Sequence, residues 1–120
     1  MKTDNIIVDK SKTFAIRIIK LYKYLIERKK EYVLSKQLLR SGTSISANVK
    51  EAIRAQSKAD FYAKMNIALK EASETEYWLE LIKETEYIDK IQFESIYGDC
   101  QEIIKLLMSI TKTQNSRKEK

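Results

Sequence analysis

Residues 61–82 read FYAKMNIALKEASETEYWLELI, and within them Phe61, Met65, Ala68, Ala72, Thr75, Leu79 and Ile82 recur at alternating spacings of four and three. That is the a/d rhythm of a helix packed along a coiled-coil-like seam. Upstream, Ser57 with Asp60 three residues later reads as the start of this helix, a capping box with Asp in place of Glu. A second apolar strip, Ile67, Trp78 and Leu81, lies away from the seam on the same helix. Two strips imply burial on two sides, once inside a bundle and once against another helix or subunit.

The flanking segments carry the same period. Residues 10–29 form a first helix, capped by Asp9 or Ser11, whose 100° wheel gathers Phe14, Ile18, Ile19, Leu21, Tyr22, Leu25 and Ile26 on one face. Lys12, Arg17, Lys20, Lys23, Arg28 and Lys30 occupy the other, and the cations at its end suit the negative pole of the helix dipole. A second helix over 34–56 buries Leu38, Gly42, Ile45, Val49, Ala52 and Ile53, with Ser41, Ser44, Ser46, Ala47 and Ala55 beside them. Small side chains let a neighbouring helix approach closely. Asp89 with Gln92 opens a fourth helix, running to about Thr113, whose stripe is Phe93, Ile96, Tyr97, Cys100, Ile103, Ile104, Leu107 and Ile110. The tail, 114–120, is basic, has no apolar anchor and is expected to be disordered.

Composition agrees with an all-α domain. The 120 residues include no proline and two glycines, so helices run uninterrupted, and no segment alternates apolar with polar residues as a strand would. Four amphipathic helices with short connections give an antiparallel up-down-up-down bundle over residues 1–113. The chain has no histidine and a single cysteine, Cys100, which removes zinc clusters, histidine-based triads and an intrachain disulfide. Cys100, on an apolar stripe, reads as a buried thiol. No catalytic residue, metal site or cofactor is expected. With no signal peptide and no apolar run of membrane-spanning length, a cytoplasmic protein without a membrane partner is expected.

The net charge of +6 is unevenly spread. Residues 1–58 hold 14 Lys/Arg against 5 Asp/Glu, +9, whereas residues 59–120 hold 9 against 12, −3. Such a chain offers a basic surface to phosphates, or sets the basic half of one subunit against the acidic half of another.

The segment Gln37 to Asn48, QLLRSGTSISAN, with Glu51-Ala52, Ser57, Asp60-Phe61, Lys64, Leu69-Lys70-Glu71-Ala72, Glu74-Thr75 and Tyr77-Trp78-Leu79, resembles the four-helix-bundle family of 23S ribosomal RNA intervening-sequence proteins, also called S23 ribosomal proteins. The resemblance covers roughly residues 10–113, in spacing as well as in local words. Ser46 departs from it, standing where the family more often has glycine. The family is similar in fold to the accessory protein of diversity-generating retroelements, a basic homo-pentamer that associates with nucleic acid and a reverse transcriptase. The resemblance therefore implies a homo-oligomeric, pentameric ring with a nucleic-acid role, and no known activity.

Within that motif, Arg40, Ser41, Gly42, Asn48, Glu71, Glu74 and Trp78 read as packing elements. Ser41-Gly42-Thr43-Ser44 lacks the lysine and preceding strand of a P-loop, so close helix packing is the better reading. Arg40 is expected to pair with an acid of the third helix. Trp78 and the tyrosines could stack on bases, but helical spacing favours packing. Nucleic acid, RNA first, is expected to meet Lys12, Arg17, Lys20, Lys23, Arg28, Lys29, Lys30, Lys36, Lys50 and Arg54, on the first two helices and their connection. The alternative is an interaction scaffold docking an acidic protein such as a polymerase.

Overall fold

The computed structural model describes the backbone of residues 2–118 and the side chains of residues 6–112. Four helices follow one another: α1 (Lys2–Glu27), α2 (Leu34–Ile53), α3 (Lys58–Glu84) and α4 (Lys90–Lys118). α4 continues past its expected end near Thr113 into the expected tail, to Lys118; residues 119–120 lie outside the described residues.

Side-chain pairing gives the topology. Lys10 pairs with Glu102 and Arg17 with Asp99; Ser41 meets Thr75 while Glu51 faces Lys64; Ala72 meets Cys100 and Glu80 meets Tyr97. In each pair of helices one number rises as the other falls, so neighbours run antiparallel. Each helix packs on the one before and after it, α1 also closes on α4, and no Cα atoms of diagonally opposed helices come within 8 Å of each other. The result is an up-down-up-down bundle of 50 × 22 × 22 Å. Its thinnest seam joins α1 to α4.

The core follows the stripes. Phe14, Ile18, Leu25, Leu38, Ile45, Val49, Met65, Leu79, Ile82, Ile103 and Leu107 are almost wholly buried. Three expectations need correction. Asp9 and Ser11 cap nothing: both lie inside α1, which starts earlier and adds buried Ile7 to the stripe. Ser11 sits on that stripe with its hydroxyl donating to the Val8 carbonyl, which interrupts the apolar pattern without ending the helix. Ile19 and Ile53 are exposed, because the helices meet more narrowly than a broad apolar arc suggests. Arg17 leaves the watery face of α1 and reaches across to α4.

The starts of α3 and α4 are built as read, and α2 adds an unforeseen one. The Ser57 hydroxyl accepts the Asp60 N–H at 3.1 Å, and Asp89 and Gln92 form a reciprocal box, the Gln92 N–H on Asp89 at 2.7 Å and the Asp89 N–H on Gln92 at 2.9 Å. At α2 the residue before the helix, Val33, offers no capping side chain. Glu31 does the work instead, its carboxylate accepting the N–H groups of Val33, Leu34 and Ser35 at 2.8 to 3.1 Å.

Candidate nucleic-acid interface

Gly42 sets how closely α1 lies on α2. A β-carbon there would stand 2.7 Å and 2.8 Å from the two γ-carbons of Ile18, so the helices meet where the QLLRSGTSISAN segment has no side chain. On the other flank of α2, Ser41 and Thr75 bring their hydroxyls to 2.8 Å in the core, and Thr75 also donates to the Glu71 carbonyl. Arg40 spans the same seam, to Glu71 at 3.0 Å and Glu74 at 2.5 Å, and the hydrogen bond to Glu74 leads in raising its pKa. Asn48 donates to the Ser44 carbonyl of its own helix. Trp78 is half-buried beside Tyr77, its ring nitrogen enclosed with no acceptor among the described residues. Gly42, Ser41 with Thr75, and Arg40 with Glu71 and Glu74 thus join α2 to its neighbours, whereas Asn48 bonds only within its own helix.

The cations divide by what they face. Lys10, Arg17 and Arg40 are bound to carboxylates of α3 and α4, so part of the acidic half neutralises part of the basic half within one chain. Arg17 also donates to the Ser95 hydroxyl and carbonyl. It is thereby withdrawn from the expected basic face. Glu31, one of few acids in the first half, spends both carboxylate oxygens on the α2 start.

The other nine expected cations carry no ion pair among the described residues, and they do not form one patch. Lys12, Lys50 and Arg54 line a groove of about 460 Å³ between α1 and α2, together with Ser11, Ser46 and the apolar Val8, Val49 and Ile53. No carboxylate lines it. Lys23 follows Lys12 by eleven residues, three helical turns along the same side of α1. Arg28, Lys29, Lys30 and Lys36 gather at the far end of the rod, where Lys29 sits 5.9 Å over the Tyr24 ring. Sixteen residues of helix, about 24 Å, separate Lys12 from Arg28. Lys20 turns to a different groove, between α1 and α4, beside Arg17.

No group of three His, Cys, Asp or Glu among the described residues could hold a metal. Cys100 is fully buried, its Sγ 3.5 Å from the Ala72 carbonyl, and burial pushes its thiol up to about 12. No helix among the described residues is long and apolar enough to cross a membrane.

The sequence profile of the 23S rRNA-intervening sequence proteins matches residues 3–109. The chain belongs to that family. A crystal structure of a protein with unknown function from the S23 ribosomal protein family, from Bacteroides thetaiotaomicron VPI-5482, superposes with a TM-score of 0.90 at 63% identity, over 92% of this chain and 98% of that one. No curated protein matches the chain. Over that extent the two chains share one fold.

Proposed function

We propose that this family member is a non-enzymatic, cytoplasmic, homo-oligomeric bundle that binds nucleic acid, RNA before DNA, through the basic face of α1 and α2. The observation carrying this reading is the groove where Lys12, Lys50 and Arg54 converge with no carboxylate among its lining. Three cations with no internal counter-charge attract phosphates and release condensed counterions on contact. Assembly into a closed ring, for which the expectation is a pentamer, repeats the groove by symmetry and adds avidity without new contacts.

Binding of a fluorescent RNA to the full chain over a salt series tests the reading. Affinity should fall steeply with salt, and K12Q/K50Q/R54Q should bind at least tenfold more weakly, its log–log salt slope shallower by about 2 on single-stranded RNA. An unchanged affinity and slope in that variant would overturn it. Polyglutamate competing as well as RNA would support the acidic-protein alternative instead. Light scattering checks the ring: a monomer at micromolar concentration removes the avidity argument.

A further inference from the structure

Another groove with lysines and no carboxylate in its lining lies on the flank opposite the α1–α2 groove, in the half of the chain whose net charge is negative. It is a cleft of about 620 Å³ between α3 and α4, lined by Asn66, Leu69, Met108, Lys105 and Lys112 among others. Both lysines are exposed and carry no ion pair among the described residues. The acids of α4 are spent earlier along the helix, Glu94 facing Lys90, Asp99 on Arg17 and Glu102 on Lys10. From Ile103 to Lys118 the sequence has four cations and no acid. The −3 of the second half therefore conceals a basic end to α4.

Topology puts this cleft at the same end of the rod as the first groove. α2 ends at Ile53, close to Lys50 and Arg54, and α3 begins at Lys58, eight residues or about 12 Å of helix before Asn66. With each helix adjacent to two others and α1 closing on α4, the α1–α2 and α3–α4 seams are opposite sides of the bundle, here across a rod 22 Å wide. Exposed Arg54 and Lys58 flank the connection between them. A duplex, stiff over about 150 base pairs, runs past one flank only. A single strand bends round the end.

We infer that the α3–α4 cleft, through Lys105 and Lys112, is a second phosphate-backbone contact, so that one single strand wraps the end of the bundle from the α1–α2 groove past Lys58. The inference rests on the nucleic-acid reading of the first groove. It is tested with an unstructured oligouridylate and an RNA duplex of equal length, on the full chain, K105Q/K112Q, K12Q/K50Q/R54Q, and the control K83Q/K90Q, which loses the same charge at the other end. K105Q/K112Q should bind the single strand about tenfold more weakly, its salt slope shallower by about 1.4, with duplex affinity within twofold. The control should bind both within twofold. Unchanged single-strand binding by K105Q/K112Q, with K12Q/K50Q/R54Q still impaired, overturns the wrap and leaves the first groove standing. Parent-like binding by both variants overturns both readings. Equal loss of duplex and single strand in K105Q/K112Q, or the same loss in the control, also overturns the wrap.

Discussion

At Gly42 an added methyl would meet the branch of a fully buried isoleucine, whereas at Gly98 it would meet nothing within 4 Å. The two glycines of this chain therefore respond oppositely to alanine. Helix propensity favours alanine by about 1 kcal/mol at either site. At Gly42 overpacking costs about 1–3 kcal/mol and outweighs it, because Ile18 is rooted in the core and cannot swing aside. Gly42→Ala should lower the melting temperature, and adding Ile18→Ala should cost less than the two changes summed; Gly98→Ala should raise it by the equivalent of about 0.5–1 kcal/mol. Thermal unfolding followed by circular dichroism reads all four. The sequence marked Gly42 as a packing residue from its place on the stripe, yet nothing in it named Ile18 as the side chain pressed against it.

Alkaline pH tests a second residue-scale feature. Burial, with Glu76 and Asp99 nearby, pushes Cys100 up to about 12, and the hydrogen bond to Glu80, then burial, raises Tyr97. Both groups release protons at lower pH when unfolded than when folded, so the unfolded state binds fewer protons there and stability falls as pH rises. The melting temperature should drop between about pH 9 and 12, and C100A/Y97F should flatten that drop; equal slopes in variant and parent would contradict it. Thiol reagents at pH 8 should label Cys100 at the rate of unfolding.

Among the elements, α2 depends most on a residue outside it. Three N–H groups at its start rest on Glu31, a mostly buried carboxylate, and charge-assisted bonds of this kind contribute about 1.5–3 kcal/mol. Glu31→Ala should destabilise the bundle by about 2 kcal/mol in urea unfolding, and Glu31→Gln, which keeps one acceptor oxygen, by less. Capping was legible where it follows a sequence word, at Ser57/Asp60 and Asp89/Gln92. It was illegible at Glu31, whose chain folds back only because Lys30 takes a left-handed backbone, φ 55°, which a lysine does not advertise. The start of α1 was lost for a related reason, as Ser11 on the inner stripe looks like a cap until Ile7 is seen buried beyond it.

For the whole molecule, periodicity was enough to read four helices and their antiparallel order, because each stripe has one partner on each side. The charge map was only half readable. A sum over residues 1–58 cannot tell that Lys10, Arg17 and Arg40 are neutralised across seams, nor that Lys105 and Lys112 stand clear of the acids around them in sequence. Pairing is a property of register, and register comes from the packed core.

The thin α1–α4 seam turns the bundle into a strip of four helices fastened along one edge, with Lys10–Glu102 and Arg17–Asp99 as the clasp. Dissolved salt screens an exposed clasp of this kind. Hydrogen exchange at rising salt should therefore show the outer amides of α1 and α4 losing protection before the α2–α3 hairpin does, and uniform loss across all four helices would refute it. On the proposed reading, releasing a strand and loosening the edge would then answer to the same ionic strength, so that grip and mechanical closure would weaken together.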